Sequence, residues 1–207
     1  MKKLIMMAVA AMMATTSIHA QSAGEMYIKP MVGATMSKIA GKDVEGSKFR
    51  FGFTGGAEFG YQIADPFALT AGVVVAMQGS NYKDDQFVKD KKAKTTYLNV
   101  PILANFYVVR GLAIKAGIQP GFLLSAKDSG SEYYENAWHS YEDTSKDGLN
   151  KFDLSIPVGL SYEFSDFVID ARYNIGLTKV MKDTDLIKAP SARNSVFMLT
   201  LGYKIHL

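Results

Sequence analysis

The chain has 207 residues, 48% of them hydrophobic and 21% charged, and contains no cysteine. That length sets one domain, the apolar content excludes a disordered chain, and the missing cysteine excludes disulfides, thiolate metal sites and thiol nucleophiles. The formal charge of +3 falls almost to balance once Lys2 and Lys3 are set aside with a leader, so no basic field draws the chain to nucleic acid.

The leader comes first in the chain. Lys2 and Lys3 precede an unbroken apolar run over residues 4–14, and Thr15-Thr16-Ser17-Ile18-His19-Ala20 follow. A charged start, a short apolar core and a small residue at the cut describe a secretory signal peptide over residues 1–20, cleaved between Ala20 and Gln21. The run is too short for a membrane-spanning helix, which needs about 20 residues. Residues 21–207 then form the mature domain.

From there the chain alternates. Phe51, Phe53, Phe59 and Tyr61 share one face of a strand over 49–61, while Arg50, Glu58 and several glycines share the other. The same period of two runs through 26–37, 67–78, 97–108, 112–125, 152–164, 167–178 and 196–207. The apolar register is bulky and uncharged. The opposite register carries Lys29, Arg50, Glu58, Lys115, Asp153, Glu163, Asp170, Arg172 and Lys204 together with many glycines. A soluble sheet protein buries its apolar face; here the apolar face is the continuous one and suits lipid, while the small, charge-balanced face suits a narrow lumen. Short links at 64–66, 109–111 and 165–166 alternate with long ones at 38–48, 79–96, 126–151 and 179–195. The expectation is an all-β, eight-stranded antiparallel up-and-down transmembrane β-barrel, with both termini in the periplasm and the long loops outside. A soluble lipocalin-like carrier is the fallback if the lipid face is misread.

Three stretches resemble a known family. Tyr97-Leu98-Asn99-Val100-Pro101-Ile102-Leu103, Lys115-Ala116-Gly117 and Asp170-Ala171-Arg172-Tyr173-Asn174-Ile175-Gly176-Leu177 are similar to the PorT-like outer-membrane β-barrel family, over about residues 24–207. The resemblance implies a small barrel in the bacterial outer membrane, and for some members an accessory role in protein secretion.

The nine lumen charges are expected to pair with one another, because buried charges persist only when partnered and hydrogen-bonded. A proton or ion path is the functional alternative, and a small pore its extreme. Outside the strands, residues 126–150 are acidic and interleave Tyr133, Tyr134, Trp138, His139 and Tyr141, a composition suited to protein or glycan contact. Their acids match no established calcium-loop spacing. The preceding long loop is basic through Lys83, Lys89, Lys91, Lys92 and Lys94, at a height where lysines meet lipopolysaccharide phosphates. His139 beside Ser140, with Glu135, Glu142 and Asp143 nearby, is the one arrangement able to supply base, nucleophile and acid to a rim enzyme that modifies lipids or peptides. Adjacent residues on a loop hold such a geometry poorly, so the expectation is a non-enzymatic protein without a cofactor, in contact with outer-membrane lipid and lipopolysaccharide and with surface or secretion-system proteins as partners.

Overall fold

The computed structural model describes residues 23–41, 46–84, 86, 88–182 and 191–207. The leader and its cleavage point at Ala20 and Gln21 lie outside the described residues. Among the described residues twelve strands form one antiparallel sheet: Met26–Ala40 (β1), Ser47–Lys48 (β2), Arg50–Ala64 (β3), Phe67–Tyr82 (β4), Val88–Asn99 (β5), Ile102–Val109 (β6), Leu112–Tyr134 (β7), Ala137–Asp143 (β8), Phe152–Phe164 (β9), Phe167–Gly176 (β10), Arg193–Tyr203 (β11) and Ile205–His206 (β12). The sheet closes on itself, because β1 pairs with β3 on one side and with β11 on the other.

The eight-stranded up-and-down barrel expected from the periodicity is therefore corrected to a closed, branched sheet of twelve strands. Two of the expected strands are broken. Proline has no N–H to give a ladder, and the stretch 97–108 divides at Val100 and Pro101 into β5 and β6. The last stretch divides at Lys204, after which β12 pairs with Tyr27 and Ile28 of β1. Two further strands arise where loops were expected: β2 pairs with the end of β4, and β8 folds back along the last residues of β7. β5 and β7 themselves run well past the expected ends, so β5, β7 and β8 make an extension at the end of the ring opposite the termini.

The register follows the side-chain alternation closely. Lys29 pairs with Glu58, Ile28 with Phe59 and Val32 with Gly55 across β1 and β3. Phe51 and Phe53 point out of the ring and are 75% and 72% exposed, whereas Lys29, Glu58 and Arg172 point in and are at most 2% exposed. Apolar outside and polar inside is the reverse of a water-soluble fold.

Glycines in the inward register give the enclosed side chains their space. A Cβ on Gly72 would stand 2.6 Å from Cγ of Glu58, and one on Gly202 would stand 2.9 Å from Cγ of Lys29. On Gly60 it would fall 2.1 Å from Cζ of Tyr27, whose ring covers the glycine backbone. The charged stems thus lie flat over bare backbone, and a side chain there would displace them. Gly72→Val is expected to destabilise the folded chain by about 1–3 kcal/mol through overpacking. The outward Ala71→Val change should leave stability within about 0.5 kcal/mol; urea unfolding in detergent micelles compares the two.

Candidate functional site

Five of the nine inward charges come together, from four different strands. Lys29 of β1 meets Glu58 of β3 at 2.8 Å and Asp170 of β10 at 3.7 Å. Lys115 of β7 reaches past β9 to Asp170 at 2.5 Å. Arg172 of β10 joins the two carboxylates, with Nε 2.6 Å from Oδ1 of Asp170, Nη2 2.7 Å from Oδ2 and Nη1 2.5 Å from Oε1 of Glu58. A planar guanidinium suits this role, since it presents donors in several fixed directions.

Glu163 and Lys204 form a second layer nearer the termini. Lys204 donates to Oε2 of Glu163 at 2.6 Å, and the Tyr107 hydroxyl donates to Oε1 at 2.7 Å. The same ammonium lies 4.2 Å from the ring centre of Tyr27, a cation–π contact. Tyr27 and Tyr107 were not legible as partners: both sit on the polar register, but nothing in the sequence brings β1 and β6 together. The remaining two charges stay apart from these layers. Arg50 donates to the Gln78 carbonyl at 2.8 Å, and Asp153 accepts from the Thr178 hydroxyl at 2.5 Å.

Above Asp153 the interior turns apolar. Ile39, Val180 and Ala192 pack together, as do Tyr97, Leu123 and Ala126, and Leu149 touches both groups. The segment carrying Val180 is held in place by backbone bonds from Asn150 to Val180 and from Val180 to Ala192. Two charged layers, a polar level and an apolar cap therefore fill the interior in succession.

The extension separates its residues by face. Tyr133 pairs with Trp138, Ser131 with Ser140 and Glu132 with His139. On the outward side, the Tyr133 and Trp138 rings lie 5.2 Å apart, and Lys89 Nζ sits 4.2 Å from the Trp138 ring centre. Trp138 is 41% exposed. Glu142 shares this side; its carboxyl is held below the usual range by the hydrogen bond from Lys127 and then by the charges of Lys127 and Lys94. On the inward side, Asp128 stands directly opposite Asp143. Burial, and then the Asp143 charge, raise the Asp128 carboxyl, against the pull of Lys91.

This pleat also separates His139 from Ser140. Consecutive residues of a strand point to opposite faces, so the imidazole cannot take the proton of the neighbouring hydroxyl. Ser140 instead bonds the Ser131 hydroxyl at 3.1 Å. Tyr134 lies next to Tyr133 on β7, opposite Ala137, and Tyr141 lies opposite Gly130, with its hydroxyl close over the glycine. Among the described residues no group of three or more histidine or acidic side chains is placed to hold a metal ion.

Residues 20–182 match the profile of a family described as outer membrane protein beta-barrel domain. That match is broader than the PorT-like resemblance and does not single out that group. No curated protein matches the sequence. Among solved structures, Ail, the attachment invasion locus protein of Yersinia pestis, is 16% identical with a TM-score of 0.50, covering 88% of this chain and 99% of Ail. The structure of Ail in complex with the heparin analogue sucrose octasulfate is 18% identical, with the same TM-score and coverage. Neisserial surface protein A is 16% identical with a TM-score of 0.46, covering 87% of this chain and 97% of that one. The likeness to Ail is one of fold.

Two outcomes follow from the geometry. Glu58→Ala leaves Lys29, Lys115 and Arg172 around a single carboxylate and is expected to cost about 3–5 kcal/mol. The double change Lys29→Met with Glu58→Gln should cost less than Glu58→Ala alone, and equilibrium unfolding in micelles ranks them. For Asp128, a raised carboxyl means that the folded extension binds its proton more readily than the unfolded chain, so the extension gains stability as pH falls through that range. Amide exchange in β7 and β8, corrected for the intrinsic rate, should slow as pH falls from neutral toward the ordinary carboxylate range near about 4, and Asp128→Asn should abolish the difference.

Proposed function

The chain belongs to the outer membrane protein beta-barrel domain family, and from that premise we propose that it is a non-enzymatic surface protein that presents the β5–β7–β8 extension outside the cell. The observation that carries this reading is the tilted Tyr133–Trp138 ring pair with Lys89 against it, half-exposed on the β7–β8 hairpin, at the end farthest from the termini. Rigid aromatics beside a cation offer contact area at low entropic cost, the usual equipment of a recognition surface for protein or glycan. Both termini then lie in the periplasm, together with the short turns around Asp65, Arg110 and Asp166. The interior acts as a plug: its paired charges and the apolar cap around Leu149 support a stabilising role over conduction.

The absence of native cysteine makes the orientation directly measurable. A membrane-impermeant maleimide should label Trp138→Cys on intact cells and leave Asp166→Cys unlabelled until the outer membrane is opened; the reverse pattern would sink the reading. The secretion role implied by the PorT-like resemblance makes a different demand. It requires a defined set of exported proteins to accumulate in the periplasm of a deletion strain, whereas the surface reading expects deletion and parent profiles to match.

A further inference from the structure

The outward side of β5 and β7 changes character row by row. Leu98 pairs with Phe122, next Thr96 with Ser125, then Lys94 with Lys127, and beyond them Lys92 with Ser129 and Lys89 with Ser131. Met77 of β4 stands beside Thr96, and Leu124 bulges out at the same level, so apolar surface reaches that row. At roughly 3.3 Å per residue, Lys94 and Lys127 stand about 7 Å beyond it along the strands. β5 keeps its alternation from Leu98 to Lys94, and the extra residue at Leu124 shifts β7 by one, so Lys94 and Lys127 both point to the same side as Leu98 and Phe122.

Two lysines directly opposite one another repel. Glu142 reaches Lys127 at 2.6 Å, and Asp90 stands 3.6 Å from Lys92, which leaves Lys89, Lys92, Lys94 and Lys127 in excess of the acids on this face. Beside them opens a cleft of about 410 Å³, lined by Lys92, Asp90, Ser129, Ser131, Ser140 and Glu142. The sequence had grouped the lysines by loop, whereas the structure sorts them by face. Lys91 turns to Tyr82 and Asp128 on the other side, and Lys127 joins from a different strand. Among the described residues the terminal end has no counterpart: its outward rows hold Phe59, Tyr61, Phe167 and Tyr203, and its turns carry Asp65, Asp166 and a single Arg110.

We propose that this face docks the phosphate groups of phosphorylated glycolipids in the outer leaflet, with Lys94 and Lys127 flanking one phosphate and the serine-lined cleft taking the adjoining sugar. The position directly above the apolar band and the charge excess select a lipid headgroup over a soluble partner. The inference rests on the outward orientation proposed above, and names a ligand for the same extension.

The test uses the purified, folded full chain in neutral detergent, with bisphosphorylated lipid A and its enzymatically dephosphorylated form as probes. Bound lipid is read by native mass spectrometry. The bisphosphorylated form is expected to bind about tenfold more tightly. Lys94→Gln with Lys127→Gln should remove that preference while leaving the dephosphorylated lipid unaffected and the heat-modifiable gel mobility intact. Lys83→Gln with Lys91→Gln, away from the face, should change nothing. Equal binding of the two lipids, an unchanged Lys94/Lys127 double variant, or equal loss in the Lys83/Lys91 control would each overturn the proposal. Since the assay uses purified protein, its failure is separable from a failure of the cell-surface labelling.

Discussion

Arg172 is the point on which the interior turns. Its guanidinium is fully enclosed, yet it touches carboxylates from β3 and β10, strands that are not neighbours in the sheet. A charge in so narrow a space has little water to solvate it, so its stability depends wholly on partners held at fixed distance. Lys115 arrives from β7, beyond β9, to complete the shell around Asp170. The backbone ladders fix each strand to the next; these side chains fix the ring across its diameter. Removing one partner therefore disturbs a set of strands and not a single pair.

The glycines belong to the same constraint. Lysine, glutamate and arginine stems have to lie down inside the ring, and the only surface thin enough to receive them is a backbone without side chains. Gly72 under Glu58, Gly202 under Lys29 and Gly60 under Tyr27 show the pattern three times. An inward register rich in both charge and glycine is thus one feature: the first creates a volume problem that the second resolves. The outward face has no such problem, and there the large residues Phe51, Phe53 and Val32 stand free.

Much of this was readable from residue order, and the reasons for the rest are specific. Alternation assigned Lys29, Glu58, Lys115, Asp170 and Arg172 to the inside because a pleat has only two sides. Which of them would touch depended on stagger between strands, which side-chain order does not record; Arg50 and Asp153 share the register but lie too far toward the other end to join. The strand count was misjudged where local chemistry overrode periodicity, at Pro101, at Lys204 and in the polar stretches that became β2 and β8. Those stretches read as loops because they lack an apolar face. They pair all the same, since a strand beyond the membrane needs only a ladder and not a greasy side. The same blindness made His139 and Ser140 look like companions: adjacency in sequence is opposition in a strand.

The closure between β1 and β11 has a consequence for how the molecule comes into being. Met31 and Thr200 meet across that seam although 169 positions separate them in the chain. Every strand from β3 to β10 has to be delivered before β1 acquires its second neighbour. Until that moment both seam strands expose unpaired N–H and C=O groups, a template open to any passing chain. Contacts of such long range are also the slowest to form. A chain cut before β11 would keep the ladders that join β1 to β10 and still yield a sheet with two sticky margins, so closure of the ring rests on a strand far along the sequence from its partner.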